Sequence, residues 1–222
     1  MIAPVRFDRA KFYFCSKIYD FAKTEGLSID EYVIRLNGED VTKGYRQGIH
    51  KPVGTRGEEQ RVDEVIDVEF VKFEDSSGKI LAWGWLGVLN FKGKIPDCNI
   101  HKYIRLRKSN IQIGEENALS HLHKEPRGNG YFIGEIHAVG DELIPNSERS
   151  YFNENEECKE LEREIRKYFE DVLYKLYYNA NEIKNAVKRL EEVKELEDTL
   201  NSKRISGFAG HNEEKKLTTQ YE

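Results

Sequence analysis

Residues 103–152 read YIRLRKSNIQIGEENALSHLHKEPRGNGYFIGEIHAVGDELIPNSERSYF, and the order of patterns inside this stretch decides the fold. Two apolar-alternating runs, 103–113 and 131–139, flank a short helical pattern around Ala118, Leu119 and Leu122, which predicts strand, helix, strand. Directly after the second run, Leu143-Ile144-Pro145-Asn146-Ser147-Glu148-Arg149 supplies a proline turn and one arginine just ahead of a long helical pattern. That loop is the place where chemistry is expected.

Upstream, Phe12, Phe14, Cys15, Ile18, Tyr19, Phe21 and Ala22 fit a helical face, with Gly26 placed to end the helix. Residues 31–36 alternate, and Asn37-Gly38 is a two-residue hairpin signal that returns the chain through Val41. The run 50–61, HKPVGTRGEEQR, reads as a solvated basic loop. Its glycines and cations could cradle phosphate, yet it lacks the lysine-threonine ending of a Walker loop. Residues 62–73 alternate, and Ser76-Ser77-Gly78-Lys79 turns them into a second strand, 80–89, giving a long antiparallel hairpin with Trp83 and Trp85 in the core.

Downstream, Cys158, Leu161, Ile165, Tyr168, Phe169, Val172, Leu173 and Leu176 are spaced by three and four, as an amphipathic helix requires. Asn179 and Asn181 suggest a break. Ile183, Ala186, Val187, Leu190, Val193, Leu196 and Leu200 then form a near-heptad stripe, so the region reads as a two-helix hairpin or an extended arm. Charged residues make up 34% of the chain but concentrate after residue 153, which places a boundary there. The expected organisation is an α+β domain over 1–153, a helical hairpin or arm over 154–200 and a flexible tail over 201–222.

Lys plus Arg number 35 against 40 Asp plus Glu, a formal charge of −5, which argues against general nucleic-acid binding through the phosphate backbone. Cys15, Cys98 and Cys158 lie far apart without CxxC spacing and suit a reducing compartment. No run of 18 apolar residues occurs, and MIAPVRFDRAKF carries charges where a signal peptide needs an apolar core; a soluble, cytoplasmic protein with no membrane partner is expected. His121, His123, His137 and Glu135 do not complete a four-ligand metal set, and no GxSxG or cysteine-nucleophile signature is present.

Two cationic features remain. Alternation puts Arg105 and Arg107 on one strand face while Ile104 and Leu106 enter the core; that face suits phosphate or an acidic partner, or is a row of solvated charges, and Lys108 follows on the same basic strand as a further candidate. Arg149 is the sharper candidate, because an arginine on a loop before a helix can offer a planar fork of donors to a phosphate arriving from outside. The bland alternative pairs it with Glu148 or Glu154.

The runs IRLRKSNIQIG, YFIGEIHAV and ELIPNSERSYFNEN resemble the segment that follows the nucleotide-binding domain in bacterial ATPases of the gyrase, heat-shock-protein-90, histidine-kinase and MutL superfamily, in its heat-shock-protein-90-like branch. The likeness extends, less specifically, over about residues 1–178 and includes KILAWGWLGVLNF. In the chaperone branch the loop reads leucine, proline, leucine, asparagine, any residue, serine, arginine, glutamate; Leu143, Asn146 and Arg149 match it, while Pro145 sits one place later and Glu148 and Ser150 replace the serine and the glutamate.

The resemblance implies a middle, or transducer, domain: a two-layer βαβ sandwich of the type seen in a small-subunit ribosomal protein, followed by a C-terminal helical arm. It implies that Arg149, with Asn146 ordering its loop and Arg105, Arg107 and Lys108 as supporting phosphate contacts, reaches ATP held elsewhere. The family's magnesium-binding asparagine helix, DxGxG and glycine-rich lid are missing from these residues, so ATP and magnesium are expected on an N-terminal ATP-binding partner domain and no turnover is expected from this chain alone. Further expected partners are a second copy, met through the C-terminal helices, and a protein client. A stand-alone interaction module with a helical arm is the alternative. Nucleic-acid binding through the Arg105 face and Arg127 is a weaker third reading, opposed by the net charge.

Overall fold

The longest alternating run in the sequence becomes the longest strand. The computed structural model describes residues 3–54, 57–90, 93–207 and 210. In chain order the elements are α1 (Cys15–Thr24), β1 (Arg35–Leu36), β2 (Glu39–Asp40), β3 (Gly48–Val53), β4 (Glu58–Glu74), β5 (Ile80–Leu89), β6 (Tyr103–Lys108), β7 (Ile111–Ile113) and β8 (Ile133–Ala138), then α2 (Glu156–Tyr168) and α3 (Tyr174–Ser206). Strands β3 to β8 form one mixed sheet in the order β3-β4-β5-β8-β6-β7; β6 and β8 are parallel and every other pair is antiparallel. The fold is α+β. No helix among the described residues is long and apolar enough to cross a membrane.

The parallel pair follows from the crossover, since a chain that leaves one strand and returns beside it in the same direction needs a connection longer than a hairpin turn. Here it consists of two 3₁₀ turns, Ala118–Leu122 and Pro126–Tyr131, in place of the expected helix. Pro126 and two glycines, Gly128 and Gly130, keep the connection from propagating as an α-helix. Gly134 has a steric reason to be glycine, because a Cβ there would lie 2.3 Å from the Trp85 carbonyl oxygen on the neighbouring strand.

Two expected elements are divided differently. Residues 103–113 form a hairpin, β6 turning into β7 through Ser109 and Asn110, both left-handed at φ 49° and 58°. The turn contains no glycine and so left little trace in the sequence; Asn110 is held there by donating its side-chain amide to the Asp30 carbonyl at 2.6 Å. The run 50–61, expected as a loop, pairs as β3 with the start of β4 in the register His50↔Arg61, Lys51↔Gln60, Pro52↔Glu59. Its polar composition reflects an exposed edge, where a proline is tolerated. Thr55 and Arg56 of that run lie outside the described residues.

Both faces of the sheet are covered. Trp83 and Trp85 pack with Phe7, Phe12, Cys15, Ile18 and Tyr45 beneath α1, while Ala82, Leu86, Ile104, Leu106 and Ile136 pack with Cys158, Leu161 and Ile165 of α2. Asn155 caps α2 by accepting from the Cys158 amide at 2.8 Å. A π-helical turn, Phe169–Leu173, joins α2 to α3 and keeps Phe169 and Leu173 buried. Because α2 belongs to the core, the compact unit runs to Tyr177 and a second unit begins at Tyr178, later than the composition boundary at 153. Helix α3 continues past Asn179 and Asn181 and on to Ser206, so the expected break between two helices is absent. Of the expected tail, residues 208, 209 and 211–222 lie outside the described residues.

Candidate functional site

The loop after β8 is built from the backbone outward. Leu143 is fully buried and anchors its start, and Pro145 and Phe152 form an antiparallel bridge across its base. Between them Asn146 closes the turn. Its amide donates to the Tyr151 carbonyl at 2.9 Å, its carbonyl accepts from the Arg149 amide at 2.9 Å, and its side-chain oxygen accepts from the Ser150 amide at 3.0 Å. Its side-chain nitrogen donates to the Ser150 hydroxyl at 3.0 Å, so both ends of the amide are used.

Arg149 stands at the apex with φ 54°. A left-handed conformation costs a non-glycine residue on the order of 1–2 kcal/mol and persists where surrounding contacts over-determine it. Those contacts are present, since the Gly114 amide donates to the Arg149 carbonyl at 2.7 Å, fixing the loop to the end of β7. Gly114 itself has φ 67°, and a Cβ there would lie 2.6 Å from the Ser150 carbonyl oxygen. The Arg149 side chain is exposed, and its guanidinium has no hydrogen-bond or ion-pair partner among the described residues, Glu148 and Glu154 included. A cleft of about 830 Å³ opens beside it, lined by Gln112 and Gly114 from the sheet edge, Ser120 and His121 from the first 3₁₀ turn, and Glu148, Arg149 and Tyr151 from the loop.

The other three candidate cations do different work. Lys108 is half-buried and donates to the Gly140 carbonyl at 2.6 Å, bracing the start of the loop; burial lowers its pKa. Arg105 and Arg107 do share a strand face, but that face is interior, with the two residues only 3% and 0% exposed. Strand β6 lies between β8 and β7 and is covered on both sides, so the expected phosphate-facing surface is corrected to a buried one. Arg105 donates to the Gln112 side-chain oxygen at 3.0 Å and to the Ile100 carbonyl. Arg107 pairs with Glu135 and donates to the Asn110 carbonyl at 2.8 Å.

Glu135 is the hub of a buried network that the sequence did not reveal. Besides Arg107 it receives Lys43 Nζ at 2.8 Å, the Tyr45 hydroxyl at 3.1 Å, Trp85 Nε1 at 3.3 Å and His137 Nε2 at 3.2 Å. Burial alone would raise its carboxyl pKa, but Arg107, Lys43 and His137 hold it well below the usual range. Burial pushes Lys43 down to about 8 against the pull of Glu135, and pushes His137 down to about 4. The carboxylate therefore stays charged and the imidazole neutral, donating from Nε2. The network fastens the N-terminal segment to the middle of the sheet, and no part of it opens on the cleft. The one trace in the sequence was an acidic residue inside the apolar run YFIGEIHAV, which required cations from elsewhere in the chain. Among the described residues no group of three His, Cys, Asp or Glu side chains is placed to hold a metal ion.

Set against known protein families, curated proteins and solved structures, the chain matches none of them. The site is therefore read from its own geometry.

Proposed function

We propose that this chain is a transducer module of an ATP-driven clamp, presenting Arg149 to the phosphates of ATP bound on a separate domain. The observation that supports the reading is the contrast within one loop, where a strained backbone tied through Asn146, Arg149 and Ser150 holds out a guanidinium with no partner of its own among the described residues. An arginine so placed neutralises charge developing on a transferred phosphoryl group, and pre-organisation of the loop means little ordering is left to pay at the moment of reaction. Asn146 is the positioning residue and Lys108 the brace. ATP and magnesium reside on the partner domain, and closure of that domain onto the loop couples hydrolysis to movement of the helices. The finer description of the fold as a ribosomal-protein-like transducer sandwich belongs to the same proposal.

The test joins the chain to a nucleotide-binding domain, in one polypeptide or as a mixture, and compares ATP hydrolysis with Arg149→Ala. The chain alone shows no turnover; the combined protein does, and the substitution lowers kcat by on the order of 10³-fold, as loss of an arginine finger does. Unchanged hydrolysis removes the reading.

A second reading has one observation in its favour. Helix α3 leaves Leu190 69% and Val193 45% exposed. Such residues on a 33-residue helix suit a partner helix with no nucleotide involved.

A further inference from the structure

Of the side chains lining the Arg149 cleft, only Arg149 and His121 can carry positive charge, whereas Glu115 and Glu148 bring two carboxylates. With a neutral imidazole the cleft would offer a phosphate one cation against two anions. With a protonated one the charges balance, and Arg149 no longer acts alone.

His121 is set for this by its surroundings. Its Nδ1 lies 2.8 Å from the Ala118 carbonyl oxygen, which can only accept, so Nδ1 carries a hydrogen and Nε2 is the nitrogen left for a ligand. The ring is held edge-on to Tyr151, with centroids 5.6 Å apart at 76°. Its side chain is 52% exposed and Nε2 sits 3.9 Å from Glu162 of α2, a partner for the charged ring that is too far for a hydrogen bond. Arg166 of α2 donates to the His121 carbonyl at 3.5 Å. The charged and titratable groups around the ring are thus Glu162 and Arg166 from α2, Glu148, Arg149 and Tyr151 from the loop, and Glu115 ahead of the turn.

We propose that His121 is a second phosphate contact: a phosphate presented to the cleft is gripped between the Arg149 guanidinium and the Nε2–H of protonated His121, and is held more tightly as pH falls. The inference rests on Arg149 being a phosphate contact and adds a second, pH-gated arm to it. Glu162 is the resting partner that the phosphate displaces.

The test titrates sodium tripolyphosphate into the chain at pH 6 and pH 8, following affinity by calorimetry and the His121 ring signals by NMR. Binding is expected to be about tenfold tighter at pH 6, the increment of one charge-assisted hydrogen bond, with the His121 signals moving. His121→Ala should lose the tightening at pH 6, since the tripolyphosphate itself only loses negative charge as pH falls. His121→Lys should restore affinity without the pH dependence, a result that a merely structural role for the ring would not give. Retention of the pH dependence in His121→Ala, ring signals that stay still while Arg149 responds, or no saturable binding at either pH would each overturn the contact. Undiminished binding by Arg149→Ala would instead remove the Arg149 reading beneath it.

Discussion

Arg107 and Arg149 are the same side chain in opposite situations. Arg107 has an ordinary strand backbone and a buried guanidinium locked to Glu135; Arg149 has a strained backbone and a guanidinium left in solvent. In one case the conformational demand is met by the side chain's partners, in the other by the backbone's. A buried charge must be paired or the fold fails, so pairing in the core is evidence about stability. A left-handed arginine held open on a loop has no such necessity behind it, which is why the loop, and not the more heavily bonded network, is the place to look for function.

The largest way to probe the contrast is acid. His101, His123 and His137 are each pushed by burial from 6.5 to about 4, so the folded chain refuses protons that the unfolded chain accepts. Bases with depressed folded pKa values make the unfolded state bind more protons between the two values, and stability is lost as pH falls from about 6.5 towards 4. Three such groups give a slope of roughly 4 kcal/mol per pH unit near pH 5. Urea midpoints measured from pH 7 to pH 4 check this, and a flat profile would mean these imidazoles are not shielded from water. Next in size is Glu135→Gln, which removes the buried carboxylate charge that Lys43 and Arg107 share. The expected loss is about 3–5 kcal/mol in urea unfolding, the range for breaking a buried pair. A loss under about 1 kcal/mol would show that the network contributes little and would undo the distinction drawn between the two arginines.

The sequence carried one half of this comparison better than the other. Proline, asparagine and arginine at close spacing before an amphipathic helix marked the Arg149 loop because turn chemistry is local, and the Asn37-Gly38 and Ser76–Lys79 turns were legible for the same reason. Apart from His137, two residues along the same strand, the partners of Glu135 are Lys43, Tyr45, Trp85 and Arg107, far apart in the chain, and no local period records them. Arg105 and Arg107 were placed on one face correctly and on the wrong side of the solvent boundary, since alternation fixes which residues share a face but not whether a helix covers it. His121 was weighed only as a metal ligand; its place beside Arg149 depends on the 3₁₀ turn and the β7 edge meeting the loop.

The smallest effect is the most discriminating, because its sign separates backbone from side chain at one position. Arg149→Gly removes the guanidinium and also the Cβ that makes φ 54° unfavourable. Relief of the left-handed strain favours the folded state by on the order of 1 kcal/mol, partly offset by the greater freedom of glycine in the unfolded chain, so the variant should melt at or slightly above the parent. Arg149→Ala keeps the strain and has no bonded partner to lose among the described residues, so its stability should stay within about 0.5 kcal/mol of the parent. An arginine that served the fold would make both variants less stable. If both lose more than about 1 kcal/mol in urea, the guanidinium has a structural partner and the loop falls back into the same class as the Glu135 network. If glycine is the more stable of the two, the chain carries at Arg149 a locally unfavourable conformation that its own stability does not require.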